Sequence, residues 1–298
     1  MDLKEPLNYD QQIKRLCDHS ITVNNAKSSR TALKEIGYYR LSGYAIQYRI
    51  SENDSNCVDG TNFDDIIRLY SFDKRLRDLL RKYIEIAEVY ARSVIAYNFA
   101  TRNCMEPPHD QHYDPAMFSN QKGHKEVLDS FSKKKSYYKD SPIMKHHVSY
   151  YGGKLPIWAI TEMISFSELS KLYSCMKPVD QDSIALDFHT GKAILRNNLH
   201  CLSVLRNKCA HAARLYNTVN TPPVKFNKLI LRKFPQLRED TLFAFIIALI
   251  QSLPRHSEKE QLRKSLLQLF KTYDDVIEKK YIGLCEDYET ILSYVVNK

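Results

Sequence analysis

Apolar side chains recur every three or four residues along most of this chain, which is the periodicity of helices with one buried face. The longest periodic segment predicts a helix from Phe63 to about Thr101, and the turn-forming residues of Ser51–Asn62 predict a loop before it. Residues 103–155 are less regular, because prolines interrupt any continuous helix there. Further helices are predicted at Trp158–Met176, Asp182–Phe188, Lys192–Asn217, Thr241–Leu253 and Glu258–Lys280. No segment predicts a strand, so the expected fold class is all-α.

This pattern divides the chain into an N-terminal helical region at 1–55, a helical core at 56–220 and a C-terminal helical region at 221–298 packed on the core. Only 8 glycines occur among 298 residues, and this shortage favours long helices with short connections. The longest apolar run, Leu242–Ile250, would span about 14 Å as a helix, far short of the roughly 30 Å hydrocarbon core of a bilayer. It is therefore interpreted as a buried core helix, and no membrane association is expected.

The first ten residues, MDLKEPLNYD, lack the basic and then apolar layout of a secretory signal. The seven cysteines are scattered and form no CxxC pair, which argues against a zinc site or a disulfide framework. Reduced thiols in a cytoplasm are the expectation. Neither a metal nor another cofactor is predicted.

The charge and the aromatic content point towards a nucleic-acid partner. The net charge is +9 and the chain holds 20 tyrosines; cations neutralise phosphates, and aromatic rings stack on bases. The tyrosine-rich segment Ile36–Ile50 has two open interpretations: a helical corner whose tyrosines fill the edge of a core, or a surface on which bases stack.

The helix predicted at 192–217 abandons its apolar pattern near its end. Leucines at 195, 199, 202 and 205 form one stripe, and the polar residues Arg206, Asn207, His211 and Arg214 follow it. At about 100° per residue, Asn207, His211 and Arg214 share one face, whereas Arg206 lies about 140° from His211.

An arginine, an asparagine and a histidine of this kind suit the cleavage of RNA without a metal. The 2′-hydroxyl must lose a proton to attack the adjacent phosphorus, and the 5′-oxygen must gain one; an imidazole can do either near neutral pH. Arginine supplies a planar, permanent charge for the developing charge on the phosphoryl oxygens. The ordinary alternative is that Arg206 and His211 cap a helix or lie at a polar interface.

Several ordered motifs make the chain resemble the bacterial abortive-infection, Abi-like family, whose members carry a HEPN domain. The resemblance covers most of the chain and is far more specific than the R-x4-H pattern alone. The motifs are YYRLSGY (38–44), FDDIIRLYSFDKRLRDLL (63–80), EIAEVYARS (85–93), LPIWAITEMISFSELSKLY (155–173) and RNKCAHAARLYN (206–217).

This resemblance implies a HEPN-like helical bundle with N-terminal and C-terminal helical additions, in a bacterial cytoplasm. It assigns Arg206 and His211 to the R-x4-6-H positions of HEPN ribonucleases, with Asn207 as the usual polar residue after the arginine. HEPN ribonucleases commonly work as pairs of domains, so the single motif implies a homodimer with a composite site. The resemblance also implies that the helix of Glu88 and Arg92 packs beside the motif helix, where Glu88 orients Arg206. A bound small non-coding RNA is a further implied partner.

Three hypotheses follow. In the first, the protein is a metal-independent endoribonuclease of abortive infection, with His211 as general acid and base, Arg206 stabilising the phosphoryl charge and Asn207 positioning the substrate. In the second, it binds RNA on a HEPN scaffold without cleaving it; in the third, Arg206 and His211 form a polar dimer seam. For RNA contacts we expect Lys208, Arg214, Lys74, Arg75, Arg77, Arg92, Tyr38, Tyr39 and Arg40.

Overall fold

The computed structural model describes residue 3 and residues 5–298, and over that part of the chain it contains fourteen α-helices and no β-strand. The helices are α1 (Tyr9–Asp18), α2 (Ala26–Ile36), α3 (Tyr38–Ser42), α4 (Phe63–Asn103), α5 (Gln121–Lys134), α6 (Pro142–Tyr151), α7 (Ile157–Met163), α8 (Phe166–Cys175), α9 (Pro178–Asp187), α10 (Lys192–Ala210), α11 (Lys228–Lys233), α12 (Leu242–Ser252), α13 (His256–Thr272) and α14 (Tyr288–Val296). The predicted all-α class is confirmed.

Helix α4 is the longest element of the fold. It runs for 41 residues, about 60 Å, and Asn62 caps its start by accepting a hydrogen bond from the Asp64 N–H. Its apolar stripe packs against α7, α9, α10, α12 and α13. The helix predicted from Phe63 to about Thr101 is therefore confirmed as one uninterrupted element.

The predicted helix Trp158–Met176 is two helices, α7 and α8. The Ser165 hydroxyl accepts a hydrogen bond from the Glu168 N–H, and the Glu168 carboxylate accepts one from the Ser165 N–H at 2.6 Å. This reciprocal capping box begins a new helix and ends the previous one. Elsewhere, α13 ends at Thr272 rather than at residue 280, and α5 and α6 lie in the stretch 103–155, for which the sequence pattern predicts less regular structure.

Helix α12 forms the centre of the core. Each residue of Leu242–Ile250 is at most 1% exposed, which confirms its interpretation as a buried core helix. One cluster of buried apolar side chains extends from Leu16 to Val296 and joins the three regions that the sequence pattern separates. Within the described residues, no helix combines the length and the hydropathy that a membrane crossing requires.

A buried carboxylate, Asp73 of α4, holds the segment of chain that follows α10. Its side chain is 0% exposed and pairs with Arg77, one turn later on the same helix. It also accepts hydrogen bonds from the Tyr216 N–H at 2.9 Å, the Leu215 N–H at 3.2 Å and the Tyr44 hydroxyl at 2.7 Å. Burial, and next the charge of Asp73, raises the pKa of Tyr44, so this hydroxyl stays protonated as a donor.

The helix predicted at 192–217 ends seven residues early. Its C-cap is His211, and Ala212 follows in the left-handed region with a φ of +50°. The Ala213 N–H donates to the Lys208 carbonyl at 2.9 Å, which is the longer bond of a Schellman motif. The expectation that Arg214 shares a helical face with His211 is therefore wrong, because the chain has already left the helix.

We expect Asp73→Asn to lower the free energy of unfolding by about 3–5 kcal/mol, because the change leaves the Arg77 guanidinium without its buried counter-charge. Urea denaturation of the variant and the wild type measures this difference. Asp129→Asn is the matched control, since Asp129 pairs with Lys125 on an exposed surface and the change should alter stability by less than about 0.5 kcal/mol. Equal losses in the two variants would contradict the role given to Asp73.

Ala212→Gly should stabilise the protein by about 1 kcal/mol, because an alanine in the left-handed region carries a steric cost that glycine lacks. Ala210→Gly, two residues earlier and inside α10, should destabilise it by about 1 kcal/mol. Thermal or urea unfolding distinguishes the two. A helix that continued to Asn217 would be weakened by both changes.

Candidate functional site

Arg206 lies in the last turns of α10, directly after the buried Leu205. Its side chain is 43% exposed, and its Nε lies 3.7 Å from Oε2 of Glu88 on α4. Its Nη1 lies 3.5 Å from Oδ1 of Asn207, at the outer limit of a hydrogen bond. The guanidinium is thus tethered along one edge and open to solvent along the other.

Glu88 connects three helices at this point. Its side chain is 13% exposed, and the carboxylate oxygen that does not face Arg206 accepts a hydrogen bond from Arg92. Arg92 in turn donates to the carbonyls of Thr161 and Ile164 at the end of α7, where helix carbonyls lack partners of their own. The contact between Glu88 and Arg206 that the resemblance implied is present. One carboxylate between two guanidinium groups leaves a net positive charge.

His211 is exposed at the C-terminal cap of α10. Its backbone N–H donates to the Asn207 carbonyl at 3.0 Å, so the exposed side chain of Asn207 lies one helical turn before it. Among the described residues, the imidazole has no hydrogen-bond partner. A solvent-accessible imidazole therefore follows the tethered guanidinium on the same helix.

The tyrosine-rich corner contacts the turn after His211. Arg40 donates from Nη1 to the Ala212 carbonyl at 2.6 Å, and the preceding Tyr39 is 93% exposed. Tyr38 is half-buried against the hydrophobic core, whereas Tyr44 is 2% exposed within it. The corner is thus a core edge at Tyr44 and an open aromatic surface at Tyr39.

Of four residues expected to contact RNA, Lys208 and Arg214 have intramolecular partners, whereas Lys74 and Arg75 are open to solvent. The Lys208 ammonium donates to Asn220 Oδ1 at 2.8 Å, and burial lowers its pKa. Arg214 donates to the Gly43 carbonyl and lies over the Tyr44 ring. Lys74 and Arg75 are exposed on α4, with the Arg75 guanidinium 5.6 Å from the ring centre of Tyr273.

The expected RNA contacts of Arg77 and Arg92 are wrong. These residues are only 4% and 8% exposed, because Asp73 and Glu88 engage their guanidinium groups inside the fold. Each therefore acts as a structural counter-charge. No group of three or more histidine, cysteine, aspartate or glutamate side chains is arranged to hold a metal ion in the described part of the chain.

Sequence reasoning missed Asp73, on which the segment after the motif helix depends. A signal was present, because Asp73 occupies the apolar stripe of α4 between Leu69 and Leu76, with Arg77 one turn later. An acidic residue on a buried stripe, followed by an arginine four residues on, is typical of an internal ion pair.

Each of the two side chains, Arg206 and His211, has a chemistry of its own that suits a phosphate or a proton transfer. A partly exposed guanidinium binds phosphoryl oxygens in a fixed plane, and an accessible imidazole accepts or donates a proton near neutral pH. Both groups lie at the end of one helix, and Arg40, which follows the exposed Tyr39 in sequence, contacts the Ala212 carbonyl directly after His211.

Comparison with known proteins identifies a family. The family model described as Abi-like protein matches residues 31–217, which contain Arg206, His211, Glu88 and every motif quoted above. No curated protein and no solved structure matches the chain. Since the match spans more than half of the residues, the chain belongs to the Abi-like family, which indicates a role in abortive infection.

Proposed function

We propose that this protein is a metal-independent HEPN endoribonuclease that acts in abortive infection. The observation that carries the proposal is an exposed imidazole, His211, at the end of a helix on which Glu88 tethers a partly exposed guanidinium, Arg206. The family match supports the abortive-infection role. The nuclease activity rests on the chemistry of these side chains.

The reaction is an intramolecular transfer at phosphorus. An imidazole takes the proton of the 2′-hydroxyl, the 2′-oxygen forms a bond to phosphorus, and the bond from phosphorus to the 5′-oxygen breaks as that oxygen receives a proton. Arg206 stabilises the charge that develops on the phosphoryl oxygens, and Asn207 positions the phosphate. The products carry a 2′,3′-cyclic phosphate and a 5′-hydroxyl.

The site would be completed by a second copy of the chain. The reaction needs one group that accepts a proton and one that donates it, on opposite sides of the phosphorus. Each copy presents one His211, so a homodimer supplies both groups across a shared cleft. A bound small non-coding RNA would occupy the exposed cationic and aromatic positions, which include Lys74, Arg75, Tyr39 and Arg40.

Glu88 would act as a positioning residue. Its carboxylate is already compensated by Arg92, so it can fix the orientation of Arg206 without cancelling the charge that a phosphate needs. Glu88, Arg92 and Arg206 together carry one net positive charge. Only Arg206 presents it to solvent, because Arg92 is buried.

His211→Ala should reduce RNA cleavage by at least about 100-fold, the usual contribution of a general acid and base. The measurement is the appearance of 2′,3′-cyclic phosphate ends on cellular RNA, in buffer containing EDTA. His200→Ala is the matched control, since His200 is also exposed on α10 and should be dispensable. Undiminished cleavage by the His211 variant would refute the assignment, and RNA that is bound but never cleaved by the wild type would favour the non-catalytic alternative.

Glu88→Gln should lower kcat by about 10- to 100-fold through misplacement of Arg206, with a smaller effect on KM. Glutamine keeps the shape of the side chain and an acceptor for Arg92, so we expect the variant to fold. A melting curve shows whether it is folded at the assay temperature. Glu85→Gln, exposed one turn earlier on α4, serves as the control. A loss of kcat that merely follows the loss of folded protein would remove the positioning role.

A further inference from the structure

A second surface of the molecule carries exposed aromatic rings around a cleft of about 580 Å³. The cleft lies between α6, the start of α7 and the segment 108–112. Its walls include His109, His146, His147, Tyr151, Lys154 and Trp158. Trp158 is 57% exposed and Tyr151 is 59% exposed, so large rings face solvent here.

The sequence of α6 places these rings on its outer side. Met144 is the residue of α6 that is buried, while His146 and Tyr150 lie one turn apart with ring centres 4.9 Å apart. His147 and Tyr151 repeat the arrangement at 5.5 Å. Contact between a group of exposed aromatic rings and water is unfavourable. Where polar residues surround such a group, it typically marks a binding surface.

The charge of the segment that contains α6, which forms one wall of the cleft, favours a polyanion as the occupant. Residues 131–158 contain six lysines and a single acidic residue, Asp140. Lys154 pairs with Asp110 at 2.5 Å. By contrast, Lys133, Lys139 and Lys145 have no carboxylate partner among the described residues. Lysines beside exposed rings are the combination by which proteins bind single-stranded nucleic acid, the lysines on phosphates and the rings on base faces.

Helix α7 connects this cleft to the candidate active site. Trp158 lies three residues before Thr161, whose carbonyl receives the Arg92 hydrogen bond. Arg92 pairs with Glu88, which contacts Arg206. About one helical turn of α7 therefore separates the aromatic cleft from the network that orients the guanidinium.

We propose that the cleft binds the bases of single-stranded RNA, by stacking on Trp158, Tyr151 and His146, with the unpaired Lys145 of α6 on the backbone. The proposal rests on the proposed ribonuclease function and specifies its substrate class, because the base faces of a duplex are covered by their neighbours and cannot stack on protein rings.

Trp158 is the only tryptophan of the chain, so intrinsic fluorescence reports on this cleft directly. The experiment titrates a short single-stranded oligoribonucleotide, and a duplex containing the same strand, into the His211→Ala protein, which does not consume them. We expect saturable quenching by the single strand and at least about 10-fold weaker binding of the duplex. Unchanged fluorescence with bound single strand, confirmed by anisotropy of a labelled strand, would overturn the proposal.

Two variants make the result specific. Tyr151→Ala and Trp158→Ala should each weaken single-strand binding by about 5- to 100-fold, as the loss of one stacked base predicts, and Tyr151→Phe should retain it. Tyr97→Ala is the matched control, because Tyr97 is 68% exposed on α4 outside the cleft and should not matter. A change in oligomeric state without a change in RNA affinity would show a protein-binding surface instead and reject the proposal.

The two proposals fail separately. If the wild type cleaves no RNA but Tyr151→Ala still loses affinity for the single strand, the ribonuclease proposal is rejected and the proposed RNA binding by the cleft is supported. If Tyr151→Ala cleaves RNA with the KM of the wild type, the nuclease stands and the cleft is rejected.

Discussion

One carboxylate, Asp73, imposes the strictest constraint on this fold. A charge sealed at 0% exposure is tolerated only where its oxygens are fully paired. Asp73 meets this condition by joining three parts of the chain: Arg77 of its own helix, Tyr44 of the N-terminal corner and the backbone amides that follow α10. Because those amides come four and five residues after His211, the position of the exposed imidazole follows from a buried ion pair on a different helix.

A second carboxylate, Glu88, contacts two arginines, of which Arg92 has a structural role and Arg206 is the candidate for chemistry. Arg92 is buried and donates a hydrogen bond to the Ile164 carbonyl at the end of α7. Arg206 contacts Glu88 through its Nε, and the rest of its guanidinium faces solvent. Both carboxylates belong to α4, fifteen residues apart on one rigid helix. The long helix therefore acts as the frame to which both ends of the candidate site are fixed, and its lack of interruption matters for the geometry of the site.

The sequence predicted the helices that have a continuous apolar repeat. It did not predict helix ends set by local caps or side-chain partners that are distant in the chain. The apolar spacing of α4 and α12 is continuous, so their existence and burial were predictable. The break at Ser165 depends on a local capping box that interrupts a continuous apolar pattern, and the end of α10 depends on an alanine in a conformation that glycine usually adopts. Which cations are free could not be predicted from spacing alone, because Arg214 donates to the Gly43 carbonyl, which is distant in the sequence.

Internal pairing also explains why this basic chain has few free cations beside the His211 imidazole. Lys208 and Arg214 flank His211 in sequence, yet each is committed to an internal acceptor. A polyanion held only near α10 would thus meet Arg206, Arg40 and little more. Lys139 and Lys145, which have no carboxylate partner among the described residues, lie just before and within α6, and α7 begins at the aromatic cleft and ends at the Arg92 network. A substrate that extends along α7 would satisfy both, with its phosphate at the guanidinium and its bases on the rings, and only an unpaired strand has both its backbone and its base faces available for such a path.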